Sequence, residues 1–228
     1  MVESEVEAAT HGRGVEASVT ERWVADLIRR YPRLGECESD ITRACEVLLH
    51  AAANGGTVFT CGNGGSYSDS QHIVGELMKC FHKPRPVSEG RAQALRDEAG
   101  ETGEYLASHL EASLPALALG SQGALLTAFA NDVDPNLIFA QELEGYGREG
   151  DVLLCLSSSG NSKNVLYAVQ VARSKGISTI LLTGSGGGAI SQLATVTVSV
   201  PETDTYKIQD LHLPIYHTLC LALEDALF

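Results

Sequence analysis

Basic residues are scarce in this chain. Sixteen Lys and Arg stand against 29 Asp and Glu in 228 residues, a formal net charge of −13. A nucleic-acid partner needs a basic face to neutralise its phosphates, so the charge argues against that class. A small phosphorylated ligand is not, because backbone N–H groups and hydroxyls can hold a few phosphate oxygens unaided. No run of about 18 apolar residues occurs, so no segment is expected to span a membrane. The opening MVESEVEAATHGRG lacks a basic-then-apolar signal pattern, and residues 1–19 read as an acidic, disordered lead. There is no CxxC pair. Cys37, Cys45, Cys61, Cys80, Cys155 and Cys220 are scattered, which argues against a zinc finger or a redox motif. They read as small core residues in a reducing cytoplasm. Internal repeats and low-complexity tracts are missing as well.

What is present begins with enough apolar sequence, 44%, for a sizeable core. Five short runs rich in Val, Ile and Leu punctuate the chain: near 56–61, 114–120, 151–157, 178–184 and 195–200. Helical patterns separate most of them. Strand, turn, helix, strand is the signature of a parallel sheet covered on both faces, an α/β fold. Ligands of such sheets sit at the carboxyl ends of the strands. Two helices are expected before the first strand, at 20–31 and 39–53, with Ser39 as N-cap of the second. Another is expected at about 207–227, where Pro214 implies either a kink or a late start. Residues 83–110 are polar, carry two prolines and then turn helical. They read as an insertion or lid between the first two strands.

Two loops at strand ends could carry chemistry. CGNGGS (61–66) leads from a strand into a helix. Its glycines, Gly64 among them, let the backbone approach an anion, and Ser66 can cap the helix and offer its hydroxyl. Alone, this loop is equally well a tight turn. SSSGNS (157–162) follows the third run with hydroxyls and N–H groups converging on the next helix. Two such loops on one sheet favour a phosphate site. Beyond the first loop, Asp69, His72 and Glu76 are three and four residues apart and share a helix face. In the last helix, Gln209 and His217 share a face, whereas His212 reads as a surface or interface residue.

The chain resembles the sugar isomerase (SIS) domain family, and within it the phosphoheptose isomerase branch. The resemblance is carried by GNGGS followed by HIVGEL, by FANDVDP, by GREGDVLLCLSSSGNSKNV, by LLTGSGGG and by YKIQDLHLPIYH, over residues 20–228. It implies an αβα sandwich with a five-stranded parallel sheet, assembled as a homotetramer or a dimer with sites between subunits. It implies that Ser66, Ser157, Ser158, Ser159 and Ser162 hold a sugar phosphate and that Asn63 orients it. Glu76 falls on the family's catalytic glutamate and His217 on its catalytic histidine. His72, Glu76, Gln209 and His217 fall on positions that bind zinc in some members. The implied reaction moves a proton between adjacent carbons through an enediol, work suited to a carboxylate and an imidazole.

Three positions depart from the family's pattern. A substrate-contacting aspartate is replaced at or near Gln122, another by Tyr206, and an arginine by Cys80. These leave the proton-transfer pair intact and bear on which sugar is taken. The expected substrate is sedoheptulose 7-phosphate. A longer ketose phosphate such as an octulose 8-phosphate, or a non-catalytic sugar-phosphate- or protein-binding role, is the alternative.

Overall fold

The computed structural model describes residues 19–228. The proposed lead therefore lies outside the described residues, apart from residue 19, which begins a helix. Each of the five apolar runs contains a strand: β1 (Val58–Cys61), β2 (Ala116–Ala118), β3 (Val152–Leu156), β4 (Ser178–Gly184) and β5 (Val196–Val200). They form one sheet in the order β2-β1-β3-β4-β5, with every neighbouring pair parallel. Parallel pairing requires crossovers, and helices supply them. The crossovers hold α3 (Gly65–Met78), α4 (Glu89–His109), α5 (Gly123–Asp132), α6 (Ile138–Tyr146), α7 (Lys163–Ser174) and α8 (Gly188–Ser191), while α1 (19–30) and α2 (Glu38–Ala53) precede the sheet and α9 (Thr205–Leu227) follows it.

Alternation along the strands sorts the core into two layers. Val152, Leu154 and Leu156 of β3, with Ile180 and Leu182 of β4, face Leu27, Ile41, Leu48, Ile73, Leu77 and Leu219 of α1, α2, α3 and α9. Leu153, Cys155 and Leu181 face the opposite way, onto Phe139, Leu143, Val165, Val169 and Ile190 of α6, α7 and α8. A fully buried Leu of this kind contributes about 1.5–3 kcal/mol. The result is the αβα sandwich expected from the sequence. The cysteines are free thiols, all buried except half-buried Cys80.

Several local readings need correction. α2 begins at Glu38 behind Cys37, so Ser39 lies inside the first turn and does not cap. The residue at the N-cap of α3 is Gly64, at φ 58°, and Ser66 again lies inside. α9 is one helix from Thr205 that contains Pro214, so the late start does not hold. His212, expected at the surface or an interface, is fully buried within the chain. α9 packs on α2, α3, β4 and β5, which leaves that face no solvent to meet.

The insertion has two parts. Residues 79–88 are an irregular strap that meets the end of α3 through Arg85. α4 then folds as two helical pieces that meet at Gly100, at φ 54°. The pieces pack so closely that a Cβ on Gly103 would lie 1.9 Å from the Leu95 carbonyl oxygen. Arg96 ties them by bonding Glu104 at 2.6 Å and Glu89 at 2.9 Å.

Candidate active site

The serine-rich loops lie side by side at the carboxyl ends of β1, β3 and β4. In the first loop Ser66 is buried, and its hydroxyl lies 3.4 Å from Gln209 Nε2 of α9. Asn63 pairs its amide reciprocally with that of Asn164, at 2.8 and 2.9 Å. This bond joins the β1 loop to the start of α7.

In the second loop the Ser157 and Ser162 hydroxyls are 3.1 Å apart. Ser162 occupies the N-cap of α7 without making a side-chain cap bond, so the helix N-terminus and both hydroxyls share one corner. Such a corner attracts anions, because unpaired N–H groups and the helix dipole both favour negative charge. Ser159 Oγ accepts from Asn161 N–H at 3.2 Å, and the Ser158 carbonyl accepts from Gly184 N–H at 3.1 Å. Gly160, at φ 62°, presses on the β4 loop, where a Cβ would meet the Gly187 carbonyl oxygen at 1.9 Å. The loop shape therefore depends on glycine at this position.

The helical row forms a second cluster. α3 and α9 run in the same direction, because Ser66 meets Gln209 near their starts and His72 meets Tyr216 farther along. Tyr216 donates its hydroxyl proton to Asp69 Oδ1 at 3.1 Å and lies 3.1 Å from His72 Nδ1. His72 Nε2 is 3.1 Å from Glu76 Oε1. Tyr216 thus bridges Asp69 and His72 through one hydroxyl. Lys79 Nζ lies 3.4 Å from the other Glu76 oxygen. The Glu76 side chain is only 13% exposed.

His217 completes the cluster. Its ring centroid is 5.2 Å from that of His72, 5.0 Å from Tyr216 and 5.3 Å from Phe81. Its Nε2 is buried and has no hydrogen-bond partner. Burial, then the proximity of His72, lowers its pKa below the usual histidine value, against the pull of Glu76. An imidazole that is neutral at pH 7 can both accept and return a proton. Burial also raises the Asp69 pKa, against its bond from Tyr216.

Glu76 and His217 thus flank the same imidazole, His72. Gln209 does not join them. It sits eight residues from His217 along α9, about 12 Å of helix rise, beside Ser66. Among the described residues no group of three or more His, Cys, Asp or Glu side chains converges on a metal position. Both His72 nitrogens already face protein partners. Within one chain, the side chains of His72, Glu76, Gln209 and His217 therefore do not converge on one zinc position.

Sequence reasoning missed Tyr216 and Asn164. Tyr216 reads as one more apolar residue in LPIYH, and its position beside the catalytic-histidine candidate was the available signal. Of the three departures, Tyr206 is exposed and Gln122 stands at the N-cap of α5. Cys80 gives its N–H to Glu111 Oε2 at 2.7 Å.

Known proteins share this sequence and fold. SIS domain family models match residues 22–110 and 116–222. A phosphoheptose isomerase of Rhodospirillum rubrum is 41% identical over 195 residues, 86% of this chain and 90% of that protein. One from Thiobacillus denitrificans is 37% identical over 82% of this chain and 83% of its own. The solved phosphoheptose isomerase of Francisella tularensis superposes with a TM-score of 0.69 at 26% identity, covering 98% of this chain and 96% of that one. GmhA of Neisseria gonorrhoeae gives a TM-score of 0.66 at 27% identity, covering 99% and 100%. The chain therefore belongs to the SIS domain family and, within it, to the phosphoheptose isomerase branch of aldose–ketose isomerases.

Proposed function

We propose that this chain converts sedoheptulose 7-phosphate into the corresponding aldose, glycero-manno-heptose 7-phosphate, with Glu76 and His217 as the proton-transfer pair. The observation that supports this most is the placement of both side chains around His72. Ser66, Ser157, Ser158, Ser159 and Ser162 hold the phosphate, together with the N–H groups at the start of α7. Asn63 and Gly64 shape the rim of the cradle.

In the reaction, Glu76 takes a proton from C1 of the open-chain ketose. The C1–C2 enediolate forms as electrons move onto the carbonyl oxygen. His217 moves a proton from the C1 oxygen to the C2 oxygen, and Glu76 returns its proton to C2. No atoms or electrons are gained or lost overall. Positioned acid–base groups of this kind typically supply 10²–10⁴-fold each.

The cradle and the acid–base cluster are far apart within one chain. Ser66 and Glu76 are ten residues apart on α3, about 15 Å of rise. An extended seven-carbon phosphate spans less than that from phosphorus to C1. The reading that fits both clusters is a site shared between copies in a homo-oligomer, with a tetramer as the expected form. Gln209 of one copy then reaches substrate near the cluster of another.

The test is an assay of the purified protein against six-, seven- and eight-carbon ketose phosphates, with products identified by NMR. Turnover of the seven-carbon substrate supports the reading. Exclusive turnover of an octulose 8-phosphate is the second reading, which the changes at Gln122, Tyr206 and Cys80 favour. Absence of any aldose product rejects both.

A further inference from the structure

An ion pair buried beneath the cluster has no part in the chemistry above. Arg85 and Glu224 are each 1% exposed, and Arg85 Nε donates to Glu224 Oε1 at 2.7 Å. Arg85 directs its other donors at the end of α3. Nη1 reaches the Leu77 carbonyl at 2.9 Å and Nη2 the carbonyl of Glu76 itself at 3.2 Å. The last carbonyls of a helix lack intrahelical partners, and a cation there complements the helix dipole. The guanidinium also stacks over the Phe228 ring, 4.7 Å from its centroid.

Glu224 gathers the strap from the other side. It accepts N–H bonds from Phe81, His82 and Lys83 at 2.8, 2.7 and 3.2 Å. Burial pushes the Glu224 pKa up, but these bonds and Arg85 outweigh it, so the carboxylate is held below its usual range. Arg85 itself lies between Pro84 and Pro86, which restrict the backbone, and its carbonyl accepts from Ala112 N–H at 2.7 Å. Glu224 is seven residues beyond His217 on α9, two helical turns on the same face. The pair therefore connects the main chain of Glu76 to the helix that carries His217.

We propose that Arg85 and Glu224 are positioning residues that set the spacing between Glu76 and His217, a role that rests on the proposed isomerase reading. A buried ion pair is poor evidence of stabilisation, since apolar or neutral replacements of a whole pair are often no less stable. Positional precision is a better account of why three N–H groups, two carbonyls and a guanidinium are gathered here. Displacing a reacting group by about 1 Å can cost on the order of 100-fold in rate.

Removing one partner alone leaves a buried charge uncompensated and is expected to unfold the protein. The test therefore uses Arg85→Lys, which keeps the charge but loses the forked contacts, and the neutral double variant Arg85→Met/Glu224→Gln. Val198→Ala, in the core of β5, serves as a destabilised control. Thermal melts and circular dichroism select conditions where all are folded. The expected result is kcat lowered at least about tenfold in both latch variants, KM within about twofold, and kcat unchanged in Val198→Ala. Wild-type kcat in the folded latch variants would overturn the proposal, as would a loss confined to KM. If the unsubstituted protein turns over no ketose phosphate, the isomerase reading fails on its own. Crystal structures of the same variants then decide the latch: a changed Glu76–His217 separation supports it and an unchanged one overturns it. Failure of both latch variants to fold, with Val198→Ala folded, would also overturn it by assigning the pair to stability.

Discussion

Tyr216 of α9 holds its hydroxyl 3.1 Å from His72 Nδ1 of α3. Because the same hydroxyl bonds Asp69, it fixes the His72 ring with Nε2 toward Glu76. Tyr216→Phe removes only this oxygen. It should lower kcat by about tenfold with little change in KM, because it releases the ring beside Glu76 and does not touch the phosphate cradle. Leaving half-buried Asp69 without its donor should also cost about 1–2 kcal/mol, measurable by urea denaturation. Wild-type kcat in this variant would free Tyr216 from any role in the site.

The serine hydroxyls are expected to act in binding. Ser157→Ala breaks the 3.1 Å pairing with Ser162, and Ser159→Ala removes a neighbouring hydroxyl. Each should raise KM several-fold and lower kcat less, because a contact made equally in ground and transition states is uniform binding. Steady-state kinetics on the phosphosugar separates the two. A fall in kcat alone would move these residues into the chemical step.

A site shared between copies has its own signature. Glu76→Gln and the triple variant Ser157→Ala/Ser159→Ala/Ser162→Ala should each be nearly inactive alone. Dissociated and reassembled together, they should regain a measurable fraction of activity, because some sites then combine an intact cradle with an intact Glu76. Activity that stays at the level of the separate variants would place the whole site within one copy.

His212 predicts an acid-sensitive fold. Burial lowers its pKa to about 4, against its 3.4 Å contact with the Thr183 carbonyl. The unfolded chain binds this proton at an ordinary value near 6.5, so it binds more protons than the folded chain between the two values. Stability is therefore complete above about pH 6.5 and is lost as pH falls toward 4. The loss from this group is about 2 kcal/mol by pH 5. His212→Gln keeps an N–H for Thr183 and does not titrate, so its melting temperature should fall less between pH 7 and pH 5. Equal slopes for the two proteins would remove His212 as the cause.

The sheet was legible in the sequence because buried parallel strands are written as continuous apolar runs, as in VLLCL and STILLTG. The two loops and the row Asp69, His72, Glu76 were legible because glycine, serine and helical spacing are local signals. The caps were not. Whether Ser39 or Ser66 caps depends on the backbone angles of a single residue, and Gly64 at φ 58° took that position at α3. His212 was misread because α9 is covered on more than one side, which leaves no amphipathic pattern to read. Arg85 and Glu224 are 139 residues apart, and nothing local marks them as partners.

The most direct measurement is the conversion of sedoheptulose 7-phosphate in deuterium oxide, followed by NMR for the native protein and for Glu76→Gln. The account predicts an aldose heptose phosphate carrying solvent deuterium at C2 from the native protein, and no product from the variant. A Glu76→Gln protein that turns over at the native rate would contradict it.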